Sequence, residues 1–327
     1  MKKTKIKEKK WQLLRVRTRE ERLDLSEKDF LSVGMGAFRG QKSPEEVILP
    51  ASVSAIKHRA FAGCGHLFRV EVLSQSPFGL SSSVFAGCDR LHEFANSEML
   101  SAVGDRAFYN CRTLERIQFG DNLKKIGMEA FRSCRALKEV EIPASVVQLG
   151  KRAFSDCTEL ERISLQDGIE RLGEGAFQGC ISLAEIDLPQ SLREIAPSVF
   201  RDCSALRALI IPGSVKRIRS HAFCGCSRLT EVRLADGVEQ IGAGAFANAR
   251  DLREVYLPHT VKRLGFGAFG FGKRPEGEKI RVYVDNEYMI RRLKWQLFLC
   301  GSASCVTLIM NGTSLAERKR ARRRERL

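Results

Sequence analysis

The 327-residue chain contains no apolar run of the roughly 18 residues that a membrane-spanning helix requires. Histidine is scarce, and its five residues form no HExxH motif and no recognised pairing with cysteine. A GxxxxGK(S/T) phosphate-binding loop is also missing. These absences argue against a transmembrane protein, a zinc hydrolase and a P-loop enzyme. We therefore expect a non-enzymatic protein with no catalytic residues, no cofactor and no bound metal ion.

The sequence also lacks the apolar core of a signal peptide. The first ten residues are basic, but Trp11–Glu21 carries Arg15, Arg17 and Arg19 where the apolar segment would follow. We expect a cytoplasmic protein, with export to the surface by another route left open.

What the chain does contain is a phenylalanine at a nearly constant interval. Nine of the ten intervals are 23 residues, and the other, from Phe61 to Phe85, is 24. A fixed period of about 20 to 50 residues is typical of stacked repeats, which share one continuous core and offer an extended surface. The recurring positions are Phe38, Phe61, Phe85, Phe108, Phe131, Phe154, Phe177, Phe200, Phe223, Phe246 and Phe269.

One repeat, Leu137–Cys157, shows the pattern clearly. Val140 and Ile142 lie two residues apart, which predicts one buried face of a short strand, and Pro143 ends that strand. A second short extended piece follows, and a turn then carries Phe154. The glycine after the second piece is replaced in some repeats, so tight backbone packing explains it better than a positive φ.

Written loosely, the consensus is L-x-x-(V/I)-x-(L/I)-P-x-S-(V/I)-x-x-(I/L)-G-x-x-A-F-x-x-C, and it resembles the 23-residue leucine-rich repeat of the BspA-like type. The clearest copies are Leu137–Cys157, Leu183–Cys203 and Leu206–Cys226. The resemblance implies an α/β repeat solenoid: a right-handed array with a parallel concave β-sheet, short second strands or turns on the convex side, and capped ends. It also implies a role in binding, without naming a partner.

Eight of the 11 cysteines lie three residues after a repeat phenylalanine. Neighbours in such a stack could come within disulfide range, and a zinc site is the other alternative. No CxxC pair exists, however, and Ala249 and Gly272 occupy the position in later copies. We expect buried structural thiols in a reducing compartment.

We divide the chain into a basic N-terminal segment and cap (1–33), the repeat array (34–272), a C-terminal cap (273–312) and a basic disordered tail (313–327). The extra residue after Phe61 marks residues 73–103 as irregular, and we expect a loop there.

The two ends of the array carry weaker patterns. Residues 18–33 suggest an amphipathic helix with Ser26 and Asp29 near its start. In the C-terminal cap we expect a strand at 280–284, then a helix that Asp285 caps and that runs to about Leu299, then a strand at 306–310. Four residues of this helix are available to cover the final repeat: Tyr288, Leu293, Trp295 and Phe298.

The net charge of +16 comes almost entirely from the ends. Residues 1–22 have a net charge of +7 and residues 273–327 have +8, whereas residues 23–272 have +1. A basic run near the carboxyl end is a candidate anion-binding segment, able to attract nucleic acid or an anionic surface weakly and without specificity. Its members are Arg318, Lys319, Arg320, Arg322, Arg323, Arg324 and Arg326.

The outward positions of the first strands show where a partner could bind. From Glu46 to Glu185 the first such position alternates in sign, which predicts a ladder of charges that pair with one another. The alternation ends at Ala208, and later repeats offer residue types that interface hot spots favour. The candidate partner-binding residues are Ile210, Arg233, Glu254 and Tyr256. Ordinary surface residues are the alternative.

These observations favour a non-catalytic repeat scaffold that binds an unidentified protein through its concave sheet. The alternative is an adaptor held to nucleic acid or an anionic surface by its basic termini. A hydrolase within the C-terminal cap is a third, weaker option.

Overall fold

The computed structural model describes residues 4–9, 11–270, 279–299 and 303–310. Within them, the strands and the α-helix are, in chain order, β1 Lys5–Lys9, β2 Gln12–Arg17, β3 Arg22–Asp24, β4 Ser32–Val33, β5 Glu46–Leu49, β6 Ala55–Ile56, β7 Arg69–Val72, β8 Phe78–Leu80, β9 Glu93–Ala95, β10 Leu100–Val103, β11 Lys125–Ile126, β12 Glu139–Ile142, β13 Arg162–Leu165, β14 Glu194–Ile195, β15 Ala208–Ile211, β16 Arg217–Ile218, β17 Glu231–Leu234, β18 Gln240–Ile241, β19 Glu254–Leu257, β20 Arg263–Leu264, β21 Ile280–Val284, α1 Glu287–Leu299 and β22 Val306–Met310. Two 3-10 turns lie at Ser97–Met99 and Ala303–Cys305.

Successive repeats contribute strands to two parallel sheets. In the sheet of longer strands, which we call the first sheet, β3, β5, β7 and β9 pair in order, as do β12 and β13, and then β15, β17, β19, β21 and β22. In the second sheet, β2, β4, β6, β8, β10 and β11 pair in order, followed by β14, β16, β18 and β20. Isolated bridges such as Arg116↔Glu139 and Ile126↔Leu149 continue both ladders between these runs. The chain is a parallel β-solenoid of about 13 turns.

The predicted stack of repeats with short second strands is therefore confirmed, but the α/β description is not. Among the described residues, α1 is the only α-helix. The third side of each repeat is built from turns, because the backbone enters the left-handed region twice around each repeat phenylalanine from Phe38 to Phe246. The right-handed coil and the concavity of the first sheet stay predictions.

Two left-handed residues flank the repeat phenylalanines from Phe38 to Phe246. One lies two residues before the ring and the other two residues after it, with φ between 53° and 80°. Glycine, asparagine and aspartate dominate the second position, as expected where a left-handed backbone is required. The sequence reading missed both positions, because arginine, serine and glutamate also occupy the first one. The second position is held by Gly40, Gly63, Gly87, Asn110, Ser133, Asp156, Gly179, Asp202, Gly225 and Asn248.

The glycine after each second strand is a different case, and here the prediction of tight packing is confirmed. Gly150 and Gly173 have no left-handed φ. A Cβ added to Gly173 would lie 2.5 Å from the carbonyl carbon of Gly150 in the preceding repeat. Successive backbones therefore touch at these two glycines, which leaves no room for a side chain there unless the backbone shifts.

The eleven repeat phenylalanines form one continuous column of stacked rings. Successive ring centroids lie 4.4–5.9 Å apart, with interplanar angles of 3–21°. Every ring is at most 3% exposed. Backbone bonds accompany the column: the Phe154 N–H, for example, donates to the Ala176 carbonyl oxygen of the next repeat at 2.8 Å. The predicted phenylalanine core is confirmed.

The cysteines form a second column beside the rings, which we call the cysteine ladder. Each thiol donates a hydrogen bond of 2.9–3.2 Å to the phenylalanine carbonyl oxygen of the preceding repeat. The members are Cys64, Cys88, Cys111, Cys134, Cys157, Cys180, Cys203 and Cys226. All ten described cysteines are buried, and the eight of the ladder are free thiols, as predicted for structural thiols.

The N-terminal end differs from the prediction of a helix over 18–33, because this stretch contains β3 and β4, which pair in parallel with β5 and β6. Strands β1 and β2 form an antiparallel hairpin, and β2 continues as a parallel neighbour of β4. Leu13 and Val16 of β2 are fully buried, so the hairpin covers the end of the core. Ser26 caps nothing; its backbone N–H instead donates to the Asp24 carboxylate at 2.9 Å. The short apolar pattern of 18–33 suits strands as well as a helix, and pairing with β5 and β6 decides between them.

The C-terminal cap has the predicted order of strand, helix and strand. Asn286 rather than Asp285 caps α1, since its Oδ1 accepts the Met289 N–H at 2.9 Å. Of the four residues expected to cover the final repeat, only Leu293 is buried. Tyr288, Trp295 and Phe298 are exposed instead.

Residues 73–103 do not form a loop. Strands β8, β9 and β10 lie within this stretch, and each pairs with a strand of the preceding repeat. The extra residue is absorbed at the corner between β7 and β8, where the Ser74 hydroxyl donates to the Ser76 carbonyl oxygen at 2.9 Å. The phenylalanine column passes this point unbroken, because the insertion lies on another side of the repeat.

Candidate binding surface

The predicted partner-binding residues lie on adjacent strands of the first sheet. In the strand register, Ile210 of β15 faces Arg233 of β17, and Arg233 faces Tyr256 of β19. Tyr256 in turn faces Tyr283 of β21. All four side chains point away from the core because the inward residues alternate with them. We call Ile210, Arg233, Tyr256 and Tyr283, together with Glu254, the C-terminal platform.

The middle of this platform is a stack of planar groups. The Arg233 guanidinium carbon lies 4.1 Å from the centroid of the Tyr256 ring, within cation–π range. The Tyr256 and Tyr283 rings stack at 4.6 Å with an interplanar angle of 9°. Ile210 extends the row at one end and is 68% exposed. The result is a continuous apolar and cationic strip on an otherwise polar sheet.

Glu254 fixes the aromatic part of the strip. Its carboxylate accepts hydrogen bonds from the Tyr256 hydroxyl at 2.9 Å and the Tyr283 hydroxyl at 3.4 Å. Arg281 donates to the same carboxylate at 2.6 Å. The bond to Glu254 raises the pKa of Tyr256, so the phenol stays protonated. The rings are therefore held in position before any partner arrives.

Sequence reasoning missed Tyr283 and Arg281. Both belong to β21, which is separated from β19 by more than one repeat length, so the 23-residue period did not align them with Tyr256 and Glu254. The alternation of Ile280, Val282 and Val284 was the available signal, because it places the residues between them on the outward face.

Charges pair with one another along the rest of the first sheet, as Arg233 of the platform does with Glu231. Arg69 contacts Glu46 at 2.8 Å, Glu93 at 3.0 Å and Glu71 at 2.9 Å. Arg162 lies 3.5 Å from Glu139. The predicted ladder of paired charges is confirmed at these strands. A partner that binds at these strands has to compete with the internal ion pairs, whereas binding at Ile210 breaks no ion pair.

The same face carries two adjoining open cavities of about 750 and 500 Å³. They lie over residues 92–164, outside the predicted site, and share Glu98, Glu115, Arg116, Ile117 and Gln118 in their linings. Carboxylates outnumber cations in the combined lining. This groove can accommodate a cationic side chain, but no catalytic pairing of groups distinguishes it.

A cluster of metal-ligating groups lies at the corner after the first strands of three successive repeats. His259 Nδ1 is 3.2 Å from an Asp236 oxygen and 3.9 Å from an Asp285 oxygen. Their ligand atoms all lie within 4.8 Å of one another. Local motif searches missed the cluster because its members are more than 20 residues apart. Its groups are exposed or half-buried, and a protonated His259 would satisfy both carboxylates as an ion pair.

The predicted anion-binding residues Arg318, Lys319, Arg320, Arg322, Arg323, Arg324 and Arg326 lie outside the described residues. Among the residues that are described, no helix is both long enough and apolar enough to cross a membrane.

Comparison with one solved structure supports the assignment of the fold. The crystal structure of a leucine-rich repeat protein from Bacteroides ovatus is similar, with a TM-score of 0.55, 20% sequence identity, and coverage of 94% of this chain and 98% of that one. The pneumococcal vaccine antigen PcpA matches with a TM-score of 0.48 and 18% identity, over 95% of this chain and 97% of that one. A search of curated protein sequences finds no match.

The sequence itself matches a family model described as the BspA type leucine rich repeat region (six copies). The matches cover residues 22–137, 78–207 and 150–273, so together they span most of the chain. Proteins of this repeat family generally serve as scaffolds for protein interaction. With the 23-residue period, the parallel strands and the phenylalanine column, this match shows that the chain belongs to the BspA-type leucine-rich repeat family.

Proposed function

We propose that this protein is a non-catalytic scaffold that binds a protein partner through the C-terminal platform of its first sheet. The stack of Arg233, Tyr256 and Tyr283 is the observation that carries the proposal. Arginine and tyrosine are enriched among the residues that dominate binding energy at protein interfaces. Here they form one strip with the exposed Ile210 at its end.

The prior ordering of the strip supports binding. Ordering a side chain at an interface costs about 0.5–1.5 kcal/mol of conformational free energy when that side chain is mobile beforehand. Tyr256 and Tyr283 are already tied to Glu254, and Arg233 already lies over the Tyr256 ring. Most of that cost is therefore met in the free protein.

The test is site-specific cross-linking from within the strip. A photoreactive amino acid placed at position 210 should capture the partner, whereas the same amino acid at Ser164 should not. Ser164 is a matched control because it is exposed and occupies the equivalent outward position on β13. Capture from position 164 but not from position 210 would place the interface elsewhere on the sheet.

Substitution gives a second readout with the same logic. Ile210→Asp and Tyr256→Ala should each weaken binding by roughly tenfold or more, the loss typical of a residue worth above about 1.4 kcal/mol. Ser164→Asp should leave affinity unchanged. Binding should also change little with salt, because the strip contributes few charges. Equal affinity for all three variants would contradict the proposal.

Binding of nucleic acid through the basic termini stays a prediction. The residues of its carboxyl-terminal part are outside the described chain, and it predicts the opposite salt dependence, with affinity falling steeply as salt rises.

A further inference from the structure

Helix α1 presents two apolar faces, and only one of them is used by the fold. Met289, Leu293 and Leu297 recur every four residues and are buried against the end of the solenoid. The opposite face carries four large apolar side chains that are each about 70% exposed. They are Tyr288 at 72%, Trp295 at 67%, Phe298 at 71% and Leu299 at 69%.

Cations are interleaved with these exposed side chains. At 100° per residue, Arg291 lies among them and Lys294 lies beside them, whereas the Arg292 guanidinium turns to the solenoid and donates to the Val261 carbonyl oxygen. Glu287 is the single acidic residue of α1, and it is already paired with Arg291 at 3.1 Å. The outward face of α1 is therefore both apolar and net positive.

This combination disfavours a second copy of the chain as the occupant. In a symmetric dimer, the same face meets itself, so Arg291 and Lys294 of one copy would approach those of the other. Glu287 is the only carboxylate of α1 and is already paired with Arg291, so it cannot neutralise the cations of both copies. A purely cationic site for nucleic acid would not need four exposed apolar side chains.

We propose that the outward face of α1 docks on an anionic lipid bilayer. Tryptophan and tyrosine favour the headgroup region of a membrane, and phenylalanine and leucine favour the start of the acyl region. Arginine and lysine extend from such a helix to lipid phosphates. The association is peripheral, since no described helix can cross the bilayer. This site lies apart from the C-terminal platform, so neither proposal depends on the other.

The fluorescence of Trp295 can report directly on docking of α1. The chain has two tryptophans, and the other, Trp11, lies in the N-terminal turn between β1 and β2. The full chain with Trp11→Phe should show a blue shift of Trp295 emission on mixing with vesicles of phosphatidylserine and phosphatidylcholine in equal parts. Vesicles of phosphatidylcholine alone should give a much smaller shift.

In the same background, Phe298→Ser with Leu299→Ser should weaken vesicle binding roughly tenfold, which corresponds to about 1.4 kcal/mol. Arg291→Gln with Lys294→Gln should also weaken it. Met35→Ser is the matched control, because Met35 is 71% exposed in the first repeat. It should bind as well as the parent.

Two results would overturn the proposal. In one, the chain sediments with the anionic vesicles while Trp295 emission stays unchanged, so the protein is held by its basic termini without α1. In the other, light scattering shows a dimer without lipid, and Phe298→Ser with Leu299→Ser returns it to a monomer.

Discussion

The Cys157 thiol donates a hydrogen bond to the Phe131 carbonyl oxygen, 3.2 Å away in the preceding repeat. The same Phe131 oxygen accepts the Cys134 N–H of its own repeat at 3.2 Å. A carbonyl oxygen has two lone pairs, so one atom closes its own turn and also ties that turn to the next. Cysteine rather than alanine therefore has a specific use here, although Ala249 shows that the position tolerates alanine.

Removing this link should destabilise the array modestly. Cys157→Ala loses one hydrogen bond and leaves a small void, for an expected loss of about 1–2 kcal/mol in the free energy of unfolding. Urea denaturation followed by circular dichroism measures it. Cys224→Ala is the control, since Cys224 is buried but lies outside the cysteine ladder, and it should cost less. Equal losses would show that burial alone explains the ladder.

The ladder thiols should react slowly with iodoacetamide in the native protein. Burial raises the pKa values of Cys157 and Cys203, and the thiolate is the reactive form. Cys64 is the exception: interaction with the neighbouring Cys88 thiol lowers its pKa, and it is the first member of the ladder. Peptide mass spectrometry should find Cys64 labelled first and Cys157 labelled only in denaturant. Early labelling of Cys157 would contradict the packing described.

Glu129 should make stability depend on pH. Burial by itself raises the pKa of its carboxyl, but hydrogen bonds from Arg106 at 2.7 Å and Arg132 at 2.9 Å outweigh burial and lower it. The unfolded chain therefore takes up this proton at a higher pH than the folded chain does. The contribution of Glu129 is full above the unfolded pKa and disappears as the pH falls through the lowered, folded value.

The corresponding measurement compares the parent with Glu129→Gln across acidic pH. Near neutral pH the substitution should cost about 1–3 kcal/mol, because two arginines lose a charged partner. The difference should shrink on acidification. Glu161→Gln, at an exposed glutamate, should show no comparable difference at any pH. A gap for Glu129 that stays constant with pH would mean that its charge is unimportant.

Gly63 and Gly65 allow backbone strain to be measured without steric clashes. A Cβ added to either residue would meet nothing within 4 Å. Gly63, however, has a φ of 72°, whereas Gly65 has no positive φ. Gly63→Ala should therefore cost about 1–2 kcal/mol, and Gly65→Ala should be neutral or slightly stabilising. Denaturation midpoints of the two variants test this, and equal effects would count against the left-handed turn.

Residues that recur at the 23-residue period could be predicted from the sequence. Phe154 and Cys157 each belong to a column with many members, so their burial follows from the repetition alone. The outward row that contains Ile210, Arg233 and Tyr256 could be placed because strands alternate their faces. Residues that lie outside the 23-residue period could not be predicted in this way.

The stretch 18–33 illustrates this limit. Leu23 and Val33 belong to a short apolar pattern that suits more than one structure, and only pairing with β5 and β6 selects the strands. Tyr283 lies beyond an interruption of the period, so its stacking on Tyr256 depends on the register of β21. The exposed face of α1 shows the converse: apolar periodicity correctly predicted a helix, but it also predicted that Trp295 and Phe298 were buried.

Bonds such as that from the Phe154 N–H to the Ala176 oxygen run along the stacking direction, and each links only adjacent repeats. Tension applied between the two ends therefore acts along these bonds. It breaks them a few at a time as one repeat separates from the next, and it does not load all of them together. Each repeat that yields releases 23 residues, or roughly 75–85 Å of contour. The array should behave as an extensible tether that lengthens in equal steps at low force and shortens again repeat by repeat.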